Sequence, residues 1–156
     1  MRIGFGYDSH LFEAGKPLVL GGVAIPGCDG LKAHSDGDVV VHALIDALFG
    51  AAAMGDIGSH FPDSDERWKG ADSAGLLSSA VAEIASAGFR VGNVDITVVC
   101  ERPRIGPHVA AIRARLAALL GVAVSQVSVK GKTNEGMDAV GAGLGIAVHA
   151  VALLDG

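Results

Sequence analysis

Residues 1–10 read Met1-Arg2-Ile3-Gly4-Phe5-Gly6-Tyr7-Asp8-Ser9-His10, and the alternation in this stretch predicts a β-strand. A strand sends successive side chains to opposite faces, so Asp8 and His10 share one face with Gly4 and Gly6. We expect the two glycines to leave that face bare and to give a bulky ligand room beside the carboxylate and the imidazole. The opposite face carries the apolar side chains Ile3, Phe5, Tyr7 and Leu11.

Asp8 and His10 are metal-ligand types at strand spacing, and His42 on a predicted helix offers a third ligand. Three protein ligands leave one tetrahedral position open, which is typical of a catalytic zinc site. The spacing by itself leaves a plainer alternative open, because alternating polar residues on a strand also occur where a strand faces water.

The composition limits the class of protein. A length of 156 residues predicts a single domain over residues 1–156, and a formal net charge of −5 argues against nucleic acid as a partner. Neither an export signal nor a membrane-spanning run is recognisable, so we expect no membrane association. Cys28 and Cys100 are far apart and outside any CxxC motif, which favours reduced thiols and a cytoplasmic location.

A helix over about residues 37–50 follows a turn-rich segment in which Ser35 or Asp36 is the expected N-cap. Asp38 and Asp46 flank His42 at a spacing of four residues, away from the apolar stripe. We interpret these two carboxylates as helix-surface groups that could also orient His42.

The remaining pattern alternates strands with helices. Residues 54–70 form a long polar loop that we expect to cover a substrate. The fold class is therefore α/β, an α+β sandwich with a single mixed β-sheet and helices packed against it. Further strands are predicted at 17–26, 94–100, 127–133 and 144–154, and further helices at 72–88 and 107–121. The last strand is apolar on both faces, which suggests that a neighbouring subunit covers one of them.

Five short motifs occur in order along the chain. They are Asp8-Ser9-His10, Ala33-His34-Ser35-Asp36-Gly37-Asp38, His42-Ala43-Leu44, Gly55-Asp56-Ile57-Gly58 and Phe61-Pro62-Asp63-Ser64-Asp65. Together with residues 130–135 and 146–154, this set resembles the 2-C-methyl-D-erythritol 2,4-cyclodiphosphate synthase family over essentially the whole chain.

The resemblance implies a cytoplasmic homotrimer of the non-mevalonate isoprenoid precursor pathway, with active sites between subunits. The implied reaction starts from 4-diphosphocytidyl-2-C-methyl-D-erythritol 2-phosphate. Its 2-phosphate attacks the β-phosphorus, CMP leaves, and 2-C-methyl-D-erythritol 2,4-cyclodiphosphate forms. Such a step depends mainly on charge neutralisation and alignment, so no side-chain nucleophile is expected.

The resemblance also implies roles for particular residues. Asp8, His10 and His42 would hold zinc, and Glu135 would hold a second divalent ion, Mg²⁺ or Mn²⁺. His34 and Thr133 would stabilise the transition state. The implied substrate-binding residues are Asp8, Ser9, His10, His34, Ser35, Asp56, Ile57, Gly58, Phe61, Pro62, Asp63, Ser64, Asp65, Cys100, Glu101, Arg102, Pro103, Arg104, Ile105, Gly106, Lys132, Thr133, Asn134 and Glu135. Within that set, residues 100–106 and Lys132 resemble the cytidine pocket, which a neighbouring subunit would supply.

The chain departs from many family members at Ala139, Ala142, Leu144 and Lys132, where those members have Phe, Arg, an acidic residue and Thr. The first three changes put in doubt the binding of an isoprenoid diphosphate in the centre of a trimer. The alternative functions are a metal-dependent phosphohydrolase and a non-catalytic binding trimer. We assign no role to His60, His108 or His149, because a lone histidine is more often a surface or core residue than a ligand.

Overall fold

The structure is a computed structural model that describes residues 1–62 and 64–156. Five strands form one mixed sheet in the order β2-β1-β5-β3-β4. The strands are β1 (Arg2–Leu20), β2 (Val23–Leu31), β3 (Arg90–Val99), β4 (Val127–Lys132) and β5 (Gly145–Asp155). The helices are α1 (Val39–Ala52), α2 (Ile57–His60), α3 (Ser73–Ser86), α4 (Val109–Leu120) and α5 (Asp138–Gly141). Among the described residues only β3 and β4 pair in parallel, so the mixed sheet with helices against it is confirmed.

The first strand is longer than the sequence pattern indicates, and it belongs to two pairings. Its first half pairs antiparallel with β5, from Arg2 opposite Leu154 to Leu11 opposite Gly145. Its second half forms a hairpin with β2, in which Leu20 lies opposite Val23. Gly21 and Gly22 make the turn with φ values of 60° and 73°, a conformation that favours glycine. The extended segment predicted at 17–26 is therefore a hairpin, made of the end of β1, the turn and the start of β2.

Helix α1 lies directly against β1, and the two glycines of β1 make this contact possible. A Cβ atom at Gly4 would lie 1.9 Å from the carbonyl oxygen of Ala47, and one at Gly6 would lie 1.9 Å from that of Ala43. The expectation that Gly4 and Gly6 leave room for a ligand is therefore wrong. The space beside them is filled by the backbone of α1, since small residues let two backbones approach closely.

The start of α1 also differs from the prediction. Neither Ser35 nor Asp36 caps it. Asp38 is the N-cap and accepts a hydrogen bond from the N–H of Val41. The same carboxylate is fully buried and accepts bonds from the N–H groups of Gly21 and Gly22, at 2.8 and 2.6 Å. Asp38 is thus not a helix-surface group. It ties α1 to the β1–β2 turn, and its burial raises its pKa to about 6.

Helices α3 and α4 lie close to their predicted positions, whereas α2 and α5 were not predicted. Asp72 caps α3 through the N–H of Ala74, and Leu76, Leu77, Ala80 and Ile84 are buried, as the apolar pattern indicates. Helix α4 ends at Gly121, whose φ is 69°, as expected for a C-terminal glycine. The 54–70 loop is more structured than predicted, because α2 and a short 3₁₀ turn (Glu66–Trp68) lie within it.

The face of the sheet opposite α1 exposes a continuous apolar surface, which we call the open face. It is formed on β1 by Ile3, Phe5, Tyr7 and Leu11 and on β5 by Val151, all at least 40% exposed. Phe5 lies opposite Val151, and Tyr7 lies opposite His149, with ring centroids 5.1 Å apart. A contiguous apolar patch of this kind is typical of an interaction surface. None of the described helices has the length and hydrophobicity that a bilayer crossing requires.

Candidate metal centre and active site

The strand β1 and the helix α1 bring three metal-ligand side chains together. Asp8 and His10 project from β1 towards the helix layer, and His42 lies on the second turn of α1. The Oδ2 atom of Asp8 lies 2.9 Å from Nε2 of His10 and 3.2 Å from Nδ1 of His42. Within the described chain this is the group of His, Cys, Asp and Glu side chains that could hold a metal ion.

The electrostatics of this group favour charge on Asp8. Burial opposes the carboxylate charge, but the hydrogen bonds from His10 and His42 outweigh it and lower the pKa of Asp8 to about 2. The hydrogen bond to Asp8 raises the pKa of His10 above its ordinary value. An ionised carboxylate facing two imidazole nitrogens is an arrangement in which a cation could replace the shared protons.

The outer nitrogens of both imidazoles are also held. Nδ1 of His10 donates to the backbone carbonyl of Lys32 at 2.8 Å. Nε2 of His42 lies 3.0 Å from the hydroxyl oxygen of Ser73 and 3.1 Å from that of Ser35. Such contacts on the far side of a ligand fix the orientation of the ring. Ser73, which the sequence analysis did not single out, comes from the start of α3.

The three ligand side chains line one wall of a cavity of about 590 Å³. The structure brings several predicted substrate-binding residues to the same cavity, namely His34, Ser35, Ile57, Gly58 and Phe61. It also places there Glu13, Lys16, Lys32, Ala33, Asp46, Trp68 and Leu76, to which the sequence analysis gave no substrate contact. A volume of this size is in the range of small-ligand sites.

Two of these additional residues, Lys16 and Lys32, are basic. Lys16 follows Glu13 by three residues, and its Nζ lies 2.8 Å from a carboxylate oxygen of Glu13. The same Nζ donates to the carbonyl of Ala33 at 3.1 Å, which anchors the segment that carries His34. Lys32 is two residues before His34. Their cationic groups lie where a phosphate-bearing ligand would need charge compensation.

The segment after α1 forms the opposite wall of the cavity. Asp56 caps α2 by accepting from the N–H of Ser59 at 2.8 Å, and the N–H of Ile57 donates to Asp46 on α1 at 2.8 Å. Phe61 meets the edge of Trp68, with ring centroids 5.1 Å apart. Pro62, Ser64 and Asp65 follow, and Asp65 pairs with Arg67. The predicted contact Asp63 lies outside the described residues.

His60, to which we assigned no role, anchors this wall. Its ring stacks on Phe49 of α1, with centroids 3.9 Å apart and planes 14° apart. Nδ1 lies 2.7 Å from a carboxylate oxygen of Glu83 on α3, and Nε2 donates to the carbonyl of Met54 at 2.8 Å. His60 therefore positions the covering segment and does not line the cavity itself.

The predicted cytidine and second-metal residues form a separate, mostly exposed cluster at the ends of β3 and β4, in which Cys100 and Ile105 are buried. The N–H of Cys100 donates to the carbonyl of Lys132, and the N–H of Asn134 donates to Glu101, both at 2.9 Å. Thr133 donates its hydroxyl to Glu135 at 3.0 Å. Segments 100–106 and 132–135 are thus brought together. In the described part of the chain they do not line the cavity that holds Asp8, His10 and His42.

The sheet register gives the separation between these two groups. Ser9 lies opposite Ala147, Ala147 opposite Val99, and Val99 beside Lys132. Three strand spacings therefore separate β1 from β4, a distance of about 14 Å. This distance is several times the length of a phosphate–phosphate linkage. Within the described chain, the strand that carries Asp8 and His10 is thus three strands away from β4, which Glu135 follows.

Comparison with known proteins agrees with the resemblance drawn from the motifs. The chain is 56% identical over 155 residues to a 2-C-methyl-D-erythritol 2,4-cyclodiphosphate synthase of Alcanivorax borkumensis, covering 99% of this chain and 97% of that protein. It is 58% identical over 154 residues to the synthase of Pseudomonas aeruginosa strain UCBPP-PA14, covering 99% and 98%.

A solved structure of a 2C-methyl-D-erythritol-2,4-cyclodiphosphate synthase in its CDP-bound form superposes with a TM-score of 0.91 at 40% identity, covering 99% of this chain and all of that one. The model of the YgbB family matches residues 1–155. The family match, the sequence identity to the synthases and the shared fold agree over the whole chain, and the chain therefore belongs to the YgbB family.

Proposed function

We propose that this chain converts 4-diphosphocytidyl-2-C-methyl-D-erythritol 2-phosphate to 2-C-methyl-D-erythritol 2,4-cyclodiphosphate and CMP, in the non-mevalonate isoprenoid pathway. The observation that carries this function is the Asp8, His10 and His42 cluster in the wall of a ligand-sized cavity. It occurs in a chain more than half identical, over its whole length, to synthases of that name. We treat residues 1–156 as one catalytic domain.

We assign zinc to the Asp8, His10 and His42 site because the donor set fits it. Zinc is bound by imidazole nitrogen and carboxylate oxygen at about 2.0–2.1 Å, so neighbouring ligands of a tetrahedral ion lie about 3.3 Å apart. The two N···O distances to Asp8 are 2.9 and 3.2 Å. A zinc ion held by these three residues would supply Lewis acidity to a phosphate oxygen of the substrate.

The other side chains of the cavity bind and orient the phosphates. His34 is exposed on the cavity wall next to the metal ligands, so its imidazole can donate to a phosphate oxygen as charge is redistributed. Lys16 and Lys32 add positive charge to a chain with a net charge of −5. Ile57, Gly58 and Phe61 cover the erythritol part and exclude water, which favours attack by the internal phosphate.

We assign a second divalent ion, Mg²⁺ or Mn²⁺, to Glu135, with Thr133 as the donor to the reacting phosphates. Both side chains are exposed and bonded to each other. A single carboxylate suits hard ions that keep several waters and bind substrate phosphates as well. Segments 100–106 and 132–135 would bind cytidine, which accords with the CDP in the related solved structure.

We further propose a homotrimer in which the cavity of one copy is completed by the Glu135 cluster of the next. Two observations support the arrangement. The halves of the site lie about 14 Å apart within one copy. The open face presents apolar side chains, with Ile3 74% and Phe5 60% exposed, that a second copy would cover. We place this trimer in the cytoplasm, and its two cysteines are free thiols.

The reaction is tested by incubating the purified chain with the substrate, zinc and Mg²⁺ in ¹⁸O-labelled water. Release of CMP with an unlabelled cyclic product is the expected result. A linear product that carries ¹⁸O would show water attack and would overturn the proposed function.

The shared site is tested by combining two inactive variants, His42→Ala and Glu135→Ala, each in a different half of the site. Random co-assembly at equal amounts restores both halves at about one boundary in four, so about a quarter of full activity is expected. Each variant alone serves as its control. If the unchanged chain is active and the mixture stays inactive, the site belongs to single copies, and the reaction assignment is unaffected.

A further inference from the structure

Beyond the ligands themselves, His42 is bonded to a buried hydroxyl that is in turn bonded to a carboxylate. Nε2 of His42 lies 3.0 Å from Oγ of Ser73, a fully buried residue at the start of α3. The Ser73 hydroxyl donates to Oδ1 of Asp36, and the Ser73 N–H donates to Oδ2 at 3.0 Å. Both oxygens of Asp36 are thus used by one serine.

Asp36 is itself fixed by its own neighbours. Its Oδ1 also accepts from the N–H of Asp38 at 3.1 Å, and its backbone N–H donates to the carbonyl of Ala71 at 3.3 Å. The local sequence pattern indicates only a helix cap at Asp36 and gives no signal for Ser73. Neither residue lines the cavity.

Counting hydrogens gives the direction of each bond. Serine has a single hydroxyl hydrogen, and the carboxylate of Asp36 can only accept it. The Ser73 oxygen therefore has lone pairs left for His42, so the hydrogen between them belongs to Nε2. In the neutral ring, Nδ1 of His42 then has its lone pair available for a cation, which takes the place of the proton that Nδ1 shares with Asp8 in the metal-free site. With the opposite tautomer, Nε2 and the Ser73 oxygen would face each other with no hydrogen between them.

We propose that Asp36 and Ser73 act as positioning residues that hold His42 in the tautomer and orientation in which Nδ1 binds the metal. The chain Asp36–Ser73–His42 joins the loop before α1, the start of α3 and α1 itself, so it also fixes the position of the ring relative to α3. Removing contacts of this kind commonly weakens metal affinity by about 10- to 100-fold. The inference rests on the metal site of the proposed function and not on the reaction catalysed there.

The hydroxyl oxygen of Ser35 also lies near Nε2 of His42, at 3.1 Å. Counting the hydrogens at this contact gives Ser35 a different role from that of Ser73. Because Nε2 already carries a hydrogen, Ser35 can only accept from it. The hydroxyl hydrogen of Ser35 is therefore left to point into the cavity, where a phosphate oxygen can accept it.

The test measures zinc affinity by competition with a chromophoric chelator. Ser73→Ala is expected to weaken zinc binding about 10- to 100-fold. The matched control is Ser78→Ala, on the same helix, whose hydroxyl bonds only to the carbonyl of Ala74. If Ser73→Ala binds zinc within twofold of this control, the positioning role is overturned.

A second measurement on the unaltered sequence does not depend on the folding of a variant. ¹⁵N NMR of the imidazoles in the zinc-loaded chain should show a protonated Nε2 and a metal-bound Nδ1 at His42. A protonated Nδ1, or a zinc bond through Nε2, would overturn the proposal. Both measurements are made without substrate, so their result is separate from whether the chain cyclises its substrate.

Discussion

The carboxylate of Asp46 accepts a hydrogen bond of 2.8 Å from the backbone N–H of Ile57. This bond connects the helix that carries His42 to the wall that covers the cavity. Burial raises the pKa of Asp46 above its ordinary value. The hydrogen bond from Ile57 lowers this pKa, but its effect is smaller than that of burial. The position of the covering segment therefore depends on a side chain of the same helix that positions the metal ligand.

Replacing Asp46 with alanine should raise KM for the substrate roughly tenfold, because the lost hydrogen bond contributes about 1.5 kcal/mol. Asp46→Asn keeps an oxygen acceptor for Ile57 and should stay within about threefold of the unchanged chain. Steady-state CMP release gives both values. Equal effects of the two variants would show that the charge of Asp46, and not its bond to Ile57, matters.

The close contact between β1 and α1 predicts opposite effects for two glycine-to-alanine changes. Gly6→Ala would place a Cβ 1.9 Å from the carbonyl of Ala43 and should lower the free energy of unfolding by about 3 kcal/mol or more. Gly75→Ala, on the exposed face of α3 with no atom within 4 Å of the new Cβ, should raise it by about 0.5–1 kcal/mol. Urea unfolding monitored by circular dichroism measures both, and a stable Gly6→Ala protein would contradict this account of the contact.

His60 should contribute to stability although it is not a ligand. His60→Ala removes the stacking on Phe49 and the bonds to Glu83 and Met54, and should cost about 2 kcal/mol. The control is His108→Ala, in the turn before α4. The single tryptophan, Trp68, lies on the same wall and gives a second readout, since its fluorescence should shift in the His60 variant. An unshifted spectrum with unchanged stability would exclude the anchoring role.

Zinc affinity should fall at acidic pH, because a protonated His10 cannot bind the metal. The hydrogen bond that His10 donates to Asp8 raises the pKa of His10, and the ring must release a proton from Nε2 before it binds a metal. Below that pKa the apparent affinity should decrease about tenfold per pH unit, and above it the dependence should level off. Titration calorimetry in buffers of different ionisation enthalpy counts the protons released. Zinc binding without proton release would contradict the prediction.

The sequence was sufficient to predict the strand that carries Asp8 and His10, because period-two alternation is a local property of the chain. It also predicted the mixed sheet and the family, since the ordered motifs extend from Asp8 to Glu135. The capping of α3 by Asp72 was predictable for the same reason, as a cap acts within one turn.

Other features depend on neighbours that are distant in sequence. The pattern of Gly4 and Gly6 shows an absence of side chains but not which element fills the space, and here the backbone of α1 fills it. Asp38 looked like a surface residue because helical spacing does not reveal that Gly21 and Gly22 fold back onto it. Lys16, Ser73 and Trp68 reach the site region from three separate elements, so no local pattern connects them to the metal ligands.

The backbone contact at Gly4 and Gly6 has a consequence for the durability of the site. Most helix–sheet separations are set by side chains, which change volume with every core substitution. Here the spacing between the strand of Asp8 and the helix of His42 is set by main-chain atoms, which every sequence shares. Repacking of the core around Leu48 or Ile84 would therefore leave the gap between the metal ligands almost constant. Substitutions in the hydrophobic core should therefore change the geometry of the metal site little. Substitutions at Gly4 or Gly6 should change it strongly.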